Sequence, residues 1–200
     1  MSVKVKTGEV RFSFCHLFEP YAFQEGQEAK YSLAILIPKT DKKTIGAIKA
    51  AYEQAKQEGV EKYGKAFASK ASPLVRPVGS NYGLLRDADQ DEKLSTDESY
   101  AGHYIMNLKS TKAPQVLSRE TGKGTLLTKE NGGEDIVYSG CYGKVSLSVY
   151  PYSNVQTGIS ASLNNVLKTR DGERFSGWTS ASDDFADEFK GEDYDDDLLG

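Results

Sequence analysis

The sequence predicts a mainly β protein, a small curved barrel carrying one or two helices. Three observations predict it. The second half holds two long runs, "IVYSGCYGKVSLSVYPYSN" and "TGISASLNNVLKTRDGERFSG", that alternate apolar and polar residues as strands with one buried face do. The opening "VKVKTGEVRFSF" also alternates, but Val3 and Val5 differ in parity from Val10, Phe12 and Phe14. A two-residue period cannot flip without an extra residue or a bend. Gly8 therefore marks either a bulge that curves one long strand, as a barrel needs, or a plain loop between two short ones. Third, one long stretch, residues 40–59, repeats apolar residues at helical spacing.

The elements follow in order. After the opening strand, "YSLAILIPK" (residues 31–39) is apolar on both faces in its middle, so something should cover it. The helix that follows directly is the candidate cover. Thr40 or Asp41 is its N-cap, Gly59 its stop, and Ile45, Ile48, Tyr52 and Ala55 its apolar stripe. Helical character continues into "VEKYGKAFASK". "PLVRPV" carries two prolines and reads as an edge strand. Residues 79–99 are polar and rich in Gly and Asp and read as a long surface loop, a kind that is usually functional or mobile. "HYIMNLK" and "PQVLSRETGKGTLLT" are strands, the second turning at residues 121–124. Pro151 falls near the end of its strand, and Asp171–Gly172 is a hairpin signal.

At 200 residues the chain can bury one sizeable core. The longest aliphatic run, residues 33–37, is far short of a membrane span. The N-terminus has no apolar signal core, which points to a cytoplasmic protein, and Cys15 and Cys141 suit a reducing compartment better than a disulfide scaffold. Charge is distributed unevenly. Residues 181–200 hold nine Asp/Glu against one Lys, a charge of −8, which leaves +4 on residues 1–180 because the whole chain is −4. Such asymmetry is a cue to nucleic-acid binding or to an interaction tail, and also fits a solubilising end.

The most informative stretch for chemistry is residues 142–152. Val145, Leu147 and Val149 share one face. Tyr142, Lys144, Ser146, Ser148, Tyr150 and Tyr152 share the other. Rings interleaved with cations are what single strands need, since bases stack on the rings and lysines meet phosphates. The same tyrosines would also pack well across any sheet. Lys39, Arg76, Lys109, Lys112, Lys168, Arg170 and Arg174 flank β segments, which makes a basic groove a natural expectation. Tyr21 and Phe23 stand in the polar connection between the first two strands, where they could close over a nucleic-acid strand or pin the loop. Catalytic motifs are poor. "TGKG" lacks P-loop spacing. Cys15, His16, His103 and Cys141 form no CxxC or HxxxH pair, so no metal and no cofactor is expected.

The run "YSGCYGKVSLSVYPYSN", then "GISASLNNVLKTRDGERFSG", then "DDF", together with "AGHYIMNLKST" and "KYSLAILIPK", resembles a family of bacteriophage single-stranded-DNA-binding proteins. The resemblance spans nearly the whole chain. It implies an OB-fold-like five-stranded antiparallel barrel with extra strands over residues 1–180, a disordered acidic tail over residues 181–200, and a role in phage replication and recombination inside the host cytoplasm. Single-stranded DNA is then the first partner. Replication or recombination proteins would be recruited through the tail, with Asp183, Asp184, Asp195, Asp196 and Asp197 supplying charge and Phe185, Phe189, Leu198 and Leu199 apolar contact. A homodimer is left open. The competing readings are a strand-annealing mediator, a metal-dependent nuclease and a protein-only adaptor.

Overall fold

The structure, a computed structural model, describes residues 2–22, 25–119 and 124–175. Among them the strands in chain order are β1 (Val3–Lys6), β2 (Val10–Tyr21), β3 (Lys30–Pro38), β4 (Arg86–Asp87), β5 (His103–Ser110), β6 (Gln115–Ser118), β7 (Thr125–Leu127), β8 (Tyr142–Ser153) and β9 (Thr157–Arg170). The helices are α1 (Lys42–Tyr63) and the single-turn α2 (Phe67–Lys70) and α3 (Gly133–Ile136).

Five strands close on themselves. β2 pairs with β3, β3 with β5, β5 with β9, β9 with β8, and β8 again with β2. This is the five-stranded, partly open barrel of an OB fold. Four of these pairings are antiparallel and one is not: β5 and β9 run parallel and pair only at Lys109 and Ser162. The barrel is therefore stitched most weakly along that seam. β6 extends the sheet beyond β9, also in parallel, and β7 pairs with β6; the turn expected at residues 121–124 lies largely outside the described residues.

The inward faces make one core. Phe12, Leu33, Ile35, Ile37, Met106, Leu108, Val145, Leu147 and Val149 are all buried in it. Each such side chain stabilises the fold by about 1.5–3 kcal/mol relative to an exposed one. The alternation in residues 142–152 thus sorts inside from outside as expected, except that Ser148 on the outer face is itself buried, beneath Asn164. Elsewhere, register shifts in the β8–β9 and β2–β3 pairings re-set that alternation. Between β8 and β9, Ser146 faces Asn165 while Leu147 faces Leu163, so Asn164 is an extra residue. Inward positions on β9 are odd before it (Ile159, Ala161, Leu163) and even after it (Val166, Lys168).

Several sequence expectations meet a physical reason for change. β1 and β2 are separate strands, both paired along β8, and Gly8 between them donates its N–H to Thr44 Oγ1 at 2.7 Å. Helix α1 starts as expected, with Asp41 accepting from the Thr44 N–H. It does not stop at Gly59. A side chain there would collide with the Phe67 ring, so this glycine admits α2 against α1, and the stop is Gly64 at φ 90°. Nor does α1 cover the outer face of β3. It lies against β8, β1 and β9. The outer residues Ala34 and Leu36 are instead covered by Ala88, Leu94, Tyr100 and Phe175, which gives the long polar loop a structural task. "PLVRPV" forms only an isolated bridge, Val75 to Leu85, because two prolines remove two donors from any ladder. Among the described residues no strand follows Asp171–Gly172, so no hairpin is formed there. Gly172 packs against Gly140 and the Tyr142 ring.

Candidate nucleic-acid interface

Where β5 and β9 splay from their single pairing, a groove of about 950 Å³ opens on the outside of the barrel. Its floor comes from Asn107 and Lys109 of β5 and from residues 160–165 of β9. Lys4, Lys30, Arg76 and Lys112 stand around it, and Tyr150 closes one side. All the charged residues that line it are cations. Lys30 also reaches Glu28, at 3.1 Å, on the exposed rim.

The extra residue on β9 builds part of this surface. It turns Asn164 and Asn165 toward the outside together. Asn164 donates to Ser148 Oγ at 2.9 Å and Asn165 accepts from the Gln115 N–H at 3.3 Å, so their amides are held rather than swinging. Next to the groove a smaller cleft of about 210 Å³ shares Arg76, Asn81, Asn107 and Ser160 with it and adds Tyr82 and Tyr152. Burial, and the nearby Tyr82 and Tyr150, push the Tyr152 phenol up. Three tyrosine rings therefore cluster at this end. Arg76 Nε is buried there with no hydrogen-bond partner, and burial together with the neighbouring Arg86 lowers the guanidinium below its ordinary value.

Of the sequence-predicted residues, Arg76, Lys109, Lys112 and Tyr150 come together in the groove and Tyr152 adjoins it. The others do not. Lys168 is 2% exposed and donates to Asp171 at 2.6 Å. The bulge at Asn164 has flipped it inward, so it belongs to the fold and not to the groove. Lys39 is held by Asp87 at 2.5 Å and Asp89 at 2.7 Å. Its burial works against the charge, but those hydrogen bonds outweigh it and raise its pKa. Tyr142 lies beneath the Arg170 guanidinium at 3.6 Å, and Arg170 is bound to Glu9. Hydrogen bonds from Thr169 and Arg170 lower the Glu9 pKa despite its partial burial. Lys144 shares that end of β8, up to about 20 Å from Tyr150 at the rise of a strand. Tyr21 stacks on His16 at 4.5 Å in a separate cleft of about 200 Å³. Phe23 and the tail residues lie outside the described residues.

Sequence reasoning missed Lys4, Lys30, Tyr82 and the asparagines. Lys4 had a signal, the alternation of "VKVK". The others owe their place to the splayed seam and to the bulge, which no local pattern announces.

A family described as the ssDNA-binding protein of Enterobacter phage Enc34 matches residues 3–199. The chain belongs to this family. A solved Enc34 single-stranded-DNA-binding protein, in complex with ssDNA, superposes with a TM-score of 0.69 at 26% identity, covering 86% of this chain and 89% of that one. The protein p50 of Acyrthosiphon pisum secondary endosymbiont phage 1 is 33% identical over 180 residues, 90% of each chain. Gp2.5 of bacteriophage T7, a single-stranded DNA binding protein, shares the fold at a TM-score of 0.54 and 16% identity, over 97% of this chain and 98% of that one. For this member of the Enc34 family the likeness therefore extends over the barrel as well as the sequence. No described helix is long and apolar enough to cross a membrane.

Proposed function

We propose that this protein binds single-stranded DNA with little sequence preference, along the groove over the β5–β9 seam, and acts by binding rather than by catalysis. The observation that carries this reading is a groove of about 950 Å³ whose charged lining is all cationic, set beside a cluster of tyrosines. Lys4, Lys30, Arg76, Lys109 and Lys112 would meet phosphates, and Tyr150 and Tyr152 would stack on unpaired bases. Duplex DNA offers the phosphates but hides the base faces, so it should bind less well. Membership of the Enc34 family supports the reading, as does the solved Enc34 protein with ssDNA.

The wider role follows from the same chemistry. We place the protein in phage replication and recombination, in the host cytoplasm. Residues 181–200, at −8, would compete with DNA for the groove and, once displaced, recruit replication proteins. Anisotropy with mixed-sequence, poly-T and duplex probes tests the core of this. Equal affinity for duplex would sink the stacking account, and magnesium-dependent loss of the probe would point to a nuclease. The tail is tested by comparing the full chain with residues 1–180. Tighter binding by the shorter chain at low salt, fading at high salt, is expected. Weaker binding would mean that the tail contributes to the site.

A further inference from the structure

β2 loses register with β3 just after Ser13. Ser13 faces Ala34, but His16 faces Ser32, so β2 carries an extra residue. By parity with Phe12, Phe14 should point into the core. Instead its backbone sits at φ 50°, a region that bulky residues rarely enter, and its side chain is 59% exposed. Cys15 and Leu17 take the inward positions in its place. Bulges and rare backbone conformations cluster where a side chain is re-aimed for a ligand.

What Phe14 is aimed at is a cleft of about 390 Å³ on the outer face of β3 and β5, within the size range of small-ligand sites. Ala34, Leu94 and Ile105 make its walls apolar, and Asn107 and Lys109 join it to the cationic groove. Ser32 lies in its lining, 5% exposed, and its Oγ is buried without a hydrogen-bond partner. Native structures seldom leave such a group unmet unless something else completes it.

We propose that this cleft takes one nucleobase out of the strand lying in the groove, with Phe14 as its stacking face and the Ser32 hydroxyl bonding to the base edge. The inference rests on the single-stranded-DNA reading above and adds to it a discrete base site. Binding along the groove would then combine sequence-tolerant phosphate contacts with one nucleotide per protein held apart from its neighbours.

The test uses the full chain and oligonucleotides carrying one 2-aminopurine at successive positions. The wild-type protein should change the emission sharply at one position within its footprint. Phe14→Ala should abolish that signal and weaken binding about 5- to 150-fold, the range for one lost base stack, while Phe14→Tyr keeps both. The melting temperature of Phe14→Ala should not fall, since the ring removed is exposed and alanine keeps the same backbone conformation. Ser32→Ala should weaken binding about two- to tenfold, as for one hydrogen bond, again without loss of stability. If the wild type does not bind single strands at all, the functional reading fails. If it binds and Phe14→Ala keeps its affinity and emission pattern, the base site is wrong while the groove stands. A melting temperature that drops in Phe14→Ala, with affinity not restored in Phe14→Tyr, also overturns it and makes Phe14 a packing residue.

Discussion

The two ends of β8 carry the same residue types and use them differently. At the Tyr142 end the cations are consumed by the fold. Arg170 is paired with Glu9, Lys168 with Asp171, and Arg11 spans the Gly140 and Glu173 carbonyls while lying over the Phe175 ring at 4.2 Å. At the Tyr150 end, Lys4, Arg76 and Lys112 line an open groove that has no carboxylate in its lining, and Lys30 reaches Glu28 only on the exposed rim. The comparison teaches that cations near tyrosines do not make a nucleic-acid site by number. Pairing decides. A lysine that already holds a carboxylate must give it up before it can hold a phosphate.

The largest effect should come from between the two ends, on the inward face. Leu147 is fully buried, so Leu147→Ala should cost about 2–5 kcal/mol of stability, read from urea unfolding, with ordinary DNA affinity in whatever remains folded. A smaller loss than that of any outward tyrosine would reverse the two faces of the strand. Next in size is a crossed pair. Tyr150→Ala should cost about 1–3 kcal/mol of single-strand binding and little stability. Tyr142→Ala should do the opposite, losing about 0.5–1 kcal/mol of stability with its cation–π contacts and little affinity. Anisotropy and melting curves on both variants would break the comparison if Tyr142→Ala lost as much binding as Tyr150→Ala.

Most of this contrast is hidden from a sequence reader, and the reason is specific. The strand positions, the α1 stripe and the inward set Val145, Leu147 and Val149 are local patterns, so period and caps reveal them. The family resemblance adds the barrel. Whether a cation is already held by a carboxylate depends on partners far along the chain: Glu9 for Arg170, Asp87 and Asp89 for Lys39. The inward turn of Lys168 depends on one extra residue at Asn164, and the outward turn of Phe14 on another in β2. A reader who assumes strict alternation gets both directions wrong, because one inserted residue swaps every position beyond it.

A smaller effect separates structural from binding charge at the Tyr142 end. The hydrogen bond from Lys168, aided by Tyr138, holds the Asp171 carboxyl below the usual range despite some burial. The folded value lies under the unfolded one, about 3.9. The pair's contribution is therefore whole above that pH and is lost as the pH falls through the folded value. Asp171→Asn should lower stability by about 1 kcal/mol near neutral pH, discounted because the carboxylate is largely exposed. It should also flatten the fall in melting temperature below about pH 4. The salt dependence of DNA binding should not change. If it did, Lys168 would be reaching DNA after all.

The smallest effect is the most direct probe of the groove. Each phosphate contact on a single strand contributes about 0.7 to the slope of log affinity against log salt. Lys109→Ala or Lys112→Ala should lower that slope by about 0.7 each, which is only about a threefold difference in affinity change between 50 and 200 mM salt. Lys144→Ala and Arg170→Ala serve as matched losses of one charge at the other end of β8. They change the net charge of the protein by the same amount, so any general attraction to DNA falls equally in all four variants. Only direct phosphate contact distinguishes the pairs. A slope that falls for Lys109 and Lys112 and holds for Lys144 and Arg170 places the strand over the β5–β9 seam. The reverse pattern would move it to the Tyr142 end, and the carboxylates there would have to release their cations for DNA to bind.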